Sequence, residues 1–86
     1  RHRFSYPRGI AITPDGTRAY VTNGSADTIS VIDTSINAVI GSPIPVGDAP
    51  RGIAITPNGT RAYVVNQFDN TISVINMFTN TVIGSP

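Results

Sequence analysis

Residues 7–23 read PRGIAITPDGTRAYVTN, and residues 50–66 read PRGIAITPNGTRAYVVN. The correspondence runs on beyond both lines. At a spacing of 43 residues, 7–43 and 50–86 are identical at 26 of 37 positions. Residues 1–6, RHRFSY, face 44–49, IPVGDA, with no identity. The 86 residues therefore read as a single unit of two 43-residue repeats, 1–43 and 44–86, with 1–6 diverging from the pattern.

A period of about 40–45 residues suits either a four-stranded propeller blade or a paired-helix solenoid. Composition separates the two. The chain has no Lys, Glu, Cys or Trp, and only 13% of its residues are charged. Helix surfaces draw on Glu and Lys, whereas Thr, Ile, Val, Asn, Gly and Pro suit short strands and tight turns. Each repeat divides into four such strands. GIAIT (9–13, 52–56) is followed by a TPDGT or TPNGT turn. There Pro14 and Pro57 preset φ, and Gly16 and Gly59 accept the left-handed conformation that closes a hairpin with a bulge. RAYVTN (18–23) and RAYVVN (61–66) form the second strand, TISVID (28–33) and TISVIN (71–76) the third. AVIGSPIPV (38–46) and TVIGSP (81–86) form the fourth. Pro43 and Pro45 cannot donate ladder hydrogen bonds, which puts that strand at an edge. Ile10 and Ile12 share one face. Ile29 and Val31 lie on one side of the third strand, with Ser30 and Ile32 on the other. Apolar residues on both faces mark a sheet sandwiched between neighbours, as a propeller blade is. The expected fold class is all-β: two four-stranded antiparallel propeller blades, part of a ring closed by oligomerisation or by a longer parent chain.

GIAITPDGTRAYVTN, followed by DTISVIDT and VIGSPIPVG, resembles the YVTN-type β-propeller repeat, named for the tetrapeptide found here as Tyr20-Val21-Thr22-Asn23. The second copy departs at one position, Tyr63-Val64-Val65-Asn66. The resemblance covers 7–86. It implies closed propellers, typically of seven blades, in bacterial and archaeal surface-layer or other extracytoplasmic proteins. Some of these resemble periplasmic ligand- or nucleic-acid-binding propellers, and the wider architecture includes lactonases. An extracytoplasmic location is thus implied by the resemblance alone, and no signal peptide is expected in RHRFSY. The motif residues Pro14, Gly16, Tyr20, Asn23 and their counterparts Pro57, Gly59, Tyr63, Asn66 read as structural. The tyrosines are expected to lie between blades and the asparagines to bond the backbone of the following turn.

Two blades cannot close a ring, and two apolar faces would be left open. Three or four copies would give six or eight blades. Otherwise the missing blades belong to a parent chain, or the chain is an engineered minimal unit. Its length of two whole periods favours assembly or engineering. The expected function is a non-enzymatic building block that self-associates blade to blade and offers a loop face for binding. The alternative is a fragment of a larger surface-layer or periplasmic propeller that binds a ligand or single-stranded nucleic acid. A lactonase-like enzyme comes third, because no His, Glu or acidic ligand set recurs.

Binding residues are sought where the repeat varies. Loops 24–27 (GSAD) and 67–70 (QFDN) differ throughout and share a face with 47–51. This selects Gln67, Phe68, Asp69 and Asp48. Arg8 and Arg51 would form a collar at the channel mouth, fit for an anion, or would pair with Asp48. Arg18 and Arg61 are expected to be solvated or paired with Asp15. No catalytic residue, metal site or cofactor is expected. A lone His2 makes neither a zinc site nor a triad. A net charge of +1 makes nucleic acid an improbable partner, and no apolar run reaches membrane-span length. Phe4 and Tyr6 are expected to pin a junction between chains.

Overall fold

The computed structural model describes residues 7–84. The readings of His2, Phe4 and Tyr6 lie outside them. The described chain forms eight strands: β1 (Pro7–Ile12), β2 (Arg18–Asn23), β3 (Thr28–Asp33), β4 (Ala38–Pro45), β5 (Pro50–Ile55), β6 (Arg61–Asn66), β7 (Thr71–Asn76) and β8 (Thr81–Val82). They make two antiparallel four-stranded sheets, ordered β1-β2-β3-β4 and β5-β6-β7-β8. The expected all-β pair of blades is observed. The β2, β3, β6 and β7 boundaries agree with the sequence reading. β1 and β5 begin two residues earlier, at Pro7 and Pro50; among the described residues β8 is Thr81–Val82, and 85–86 of the expected fourth strand lie outside them. β4 does lie at an edge, with Pro45 opposite Thr28.

Local chemistry explains the turns. In the first hairpin the Gly16 N–H donates to Thr13 O at 2.8 Å, and Gly16 sits at φ 75°. Gly59 repeats this at φ 71°, donating to Thr56 O. Both are the left-handed positions that glycine occupies without a Cβ clash. The Asp15 carboxylate accepts from the Thr13 hydroxyl, the Thr17 N–H and the Thr17 hydroxyl. Asn58 Oδ1 accepts the same three donors from Thr56 and Thr60. The hairpin therefore needs an oxygen acceptor at this position rather than a charge.

Register sorts each blade into two unlike faces. Ala11 opposes Tyr20, Tyr20 opposes Val31, and Thr22 opposes Ile29. These residues, with Gly9, make the tyrosine face of the first blade. Ile10 opposes Val21, Ile12 opposes Ala19, and Ala19 opposes Ile32. These make its isoleucine face. The second blade repeats the division, with Tyr63, Val65 and Ile72 on one side and Ile53, Ile55, Ala62, Val64 and Ile75 on the other.

The core lies where the tyrosine face of the first blade meets the isoleucine face of the second. Tyr20, Ile29, Val31 and Ile44 from one side close on Ala62, Val64, Ile75 and Met77 from the other. Burying side chains of the size of Ile29 and Ile75 contributes roughly 1.5–3 kcal/mol each. The blades are closest at their first strands, where β1 and β2 pack on β5, and they touch far less at β4 and β8. They diverge outward as wedges around an axis on the β1 and β5 side. At the narrow end, a Cβ on Gly9 would stand 2.4 Å from Arg51 O. Only glycine permits that approach.

Candidate functional site

Three surfaces carry side chains with chemistry to offer. The first is the expected loop face. Loops 24–27 and 67–70 do meet the connection 47–49 there. Asp27, itself at φ 58°, accepts from the Ala49 N–H at 2.9 Å, and Asp69 accepts from the Asp48 N–H at 3.0 Å. The Gln67 N–H donates to Ala49 O, the Phe68 N–H to Asp48 O. Two carboxylates, one from each blade, thus hold the backbone that joins the blades. The Thr71 hydroxyl is the main cause that keeps the Asp69 carboxyl below its ordinary pKa, aided by the Asp48 N–H. A side chain on Gly47 would run into Asn66 and Asp69, which fixes glycine there.

The selected residues on this face divide between structure and solvent. Arg51 donates from Nη1 to Gln67 Oε1 at 2.8 Å, so its partner is Gln67 and not the expected Asp48. The reason is register: β5 and β6 leave Arg51 and Gln67 side by side at the strand ends, while Asp48 sits in the connection. Arg8 and Asp48 are exposed, as is Phe68. The offset of Asp27 and Asp69 within their loops hid the role they share. Each reaches a different N–H of the same connection.

Asn23 and Asn66 also depart from expectation. They do not cap the following turn through their side chains. Each donates from Nδ2 to two hydroxyls of the next strand, Thr28 and Ser30 for Asn23, Thr71 and Ser73 for Asn66. In the first blade a backbone bond within the turn, the Asp27 N–H donating to Asn23 O, already holds it. The side chains are then free to bridge β2 to β3 and β6 to β7. Both Oδ1 atoms are buried without a partner.

The second surface, at the opposite end, is a cleft of about 300 Å³ between the hairpin turns, lined among others by Asp15, Arg18, Tyr20, Asn58 and Phe78. Asp15 is held by Thr13 and Thr17 rather than by Arg18. Its pKa falls from 3.8 to about 2, chiefly through the Thr17 N–H. The Ser35 hydroxyl and N–H hold the Asp33 carboxyl below its ordinary pKa, with a smaller lowering from the Arg18 charge. Burial raises the Tyr20 phenol. Among the described residues no three His, Cys, Asp or Glu side chains gather as a metal site, and no helix is long and apolar enough to cross a membrane.

The third surface is the pair of open blade faces. Tyr20 is 1% exposed and donates its hydroxyl to Asn80 Oδ1 of the second blade at 2.7 Å. Its counterpart Tyr63 is 44% exposed, beside Val65 at 49% and Ile72 at 55%. On the far side of the molecule Ile10 and Ile12 are 61% and 58% exposed, although their counterparts Ile53 and Ile55 are partly buried. The same sequence is buried at one joint and bare at each end.

No family model matches the chain, and no curated protein sequence matches it. Solved structures do. Hydrazine synthase from Kuenenia stuttgartiensis superposes with a TM-score of 0.89 at 26% identity, over 98% of this chain and 24% of that one. The dihydro-heme d1 dehydrogenase NirN, in complex with DHE, gives 0.79 at 17% identity, over 95% and 17%. A functionally unknown protein from Desulfotomaculum acetoxidans gives 0.77 at 23% identity, over 96% and 27%. The neighbours are β-propeller proteins, so the two sheets are propeller blades. The chain spans about a quarter or less of the length of these three structures.

Proposed function

We propose that the chain is a non-enzymatic propeller building block of the YVTN type. Its principal activity is blade-to-blade association with further copies of itself, outside the cytoplasm. The observation that carries this reading is the unlikeness of the two open faces. One is a tyrosine face and the other an isoleucine face, the same pair that closes the internal joint. A second copy can therefore repeat a joint that the chain already contains. Exposed apolar surface of this kind marks an association site. Three copies would supply six blades and four would supply eight. The loop face would then present Phe68, Asp48 and the Arg8 and Arg51 collar around the channel, as a surface for a ligand.

Native mass spectrometry of the purified chain tests the reading. A discrete mass of three or four copies is expected, and a single-copy mass at every concentration overturns it. A second reading is favoured by one observation, the share of about a quarter or less that the chain covers in the three propeller structures. On that reading the chain is a segment of a larger propeller, and the open faces meet blades of the same polypeptide. The enzymatic neighbours lend no residue to this chain, because their likeness is one of fold.

A further inference from the structure

The internal joint has three local features, and each can be sought at the open faces. The first is close backbone approach at Gly9, where a Cβ would meet Arg51 O. The second is a hydroxyl staple: Thr22 Oγ1 accepts from the Gly9 N–H at 2.8 Å and donates to Arg51 O at 2.9 Å. It sits between the first strands of the two blades. The third is the Tyr20 hydroxyl on Asn80, a residue at φ 55° in the turn before β8. Shifting by one repeat gives the residues that would meet between copies. Gly9 becomes Gly52, Arg51 becomes Arg8 of the second copy, Tyr20 becomes Tyr63, and Asn80 becomes Asn37.

Two of the three features are retained. Asn37 has φ 54°, the conformation of Asn80, and is exposed. Gly52 is exposed, and a Cβ on it would find only Val65 Cγ2, at 3.9 Å. Nothing in its own chain requires glycine there. The second feature, the hydroxyl staple, is lost. Val65 stands where Thr22 stands, and its methyl can neither accept from the Gly52 N–H nor donate to a carbonyl.

We infer that the tyrosine face of the second blade docks the isoleucine face of a second copy, through a joint that lacks one polar staple and is weaker than the internal joint for that reason. This rests on the self-association proposed above. In the joint the Tyr63 hydroxyl donates to Asn37 Oδ1 of the second copy, and Gly52 lies against the Arg8 carbonyl. The Gly52 N–H and that carbonyl leave water without the hydroxyl that bridges their counterparts. A net hydrogen bond regained at such a site changes an association constant about three- to tenfold.

Sedimentation over a wide concentration range, with circular dichroism to check folding, tests this on the wild-type chain and three variants. Val65→Thr restores the staple and is expected to tighten association about three- to tenfold per joint. Gly52→Ala is expected to fold as the wild type does and to lose assembly, since its Cβ has room within its own chain only. Tyr63→Phe is expected to weaken assembly by a similar three- to tenfold factor. A wild-type chain that stays monomeric throughout overturns the self-association reading, and this inference with it. A wild type that assembles while Gly52→Ala assembles equally well and Val65→Thr does not tighten overturns the joint described here and leaves self-association standing.

Discussion

Asp15 and Asn58 occupy equivalent positions and hold equivalent turns with a single oxygen. The turn was legible in TPDGT and TPNGT, but the reason both residues serve was not, since it depends on three donors converging on one Oδ1. The charge carries a pH signature that Asn58 lacks. The Asp15 carboxyl has a folded-state pKa of about 2 against an ordinary 3.8. A depressed folded pKa contributes stability that is present above the unfolded value and lost as pH falls through the folded one. Melting temperature should therefore fall between about pH 4 and pH 2 in part through this residue, and Asp15→Asn should flatten that part of the profile. A carboxyl resonance of Asp15 that titrates at the ordinary value would contradict the account. Asp33 and Asn76 follow the same logic, each accepting a backbone N–H two residues on.

Strands and their turns were read from the sequence to within two residues through β7. β4 runs eight residues because Ile44 and Pro45 continue it, with Ile44 buried opposite Ile29. β8 is short among the described residues, Thr81–Val82. The connection between blades was less legible still. Its two carboxylate clasps come from unlike positions in unlike loops, and no spacing announces them. Asp27→Ala removes the acceptor of the partly buried Ala49 N–H and should destabilise the fold by about 1–3 kcal/mol in urea unfolding. Gly9→Ala should cost about 1–3 kcal/mol by forcing β1 from β5. The same change at Gly52 should be close to neutral for folding, so the pair reports which joint lies inside the chain.

The two-blade architecture followed from the repeat, because apolar residues on both faces demand a neighbour on each side. Which faces meet inside the chain was not readable, since PRGIAIT is written identically in a half-buried strand and in one with its isoleucines bare. Chain order alone decides that. At this level the open isoleucine face can be altered without harm to the core. Ile10→Asp combined with Ile12→Asp should leave the circular dichroism spectrum of the single chain unchanged and abolish any larger species in sedimentation. The unlike faces also govern how association could proceed. A two-fold axis passing through the contact between two copies would place like against like, so each addition has to be head to tail. Any open stack, of whatever length, then still ends in one bare tyrosine face and one bare isoleucine face, as adhesive as those of a lone chain. Growth does not relieve this, and only the last contact of a ring removes both ends at once. Intermediates should therefore be scarce, and the transition from free chain to finished ring abrupt.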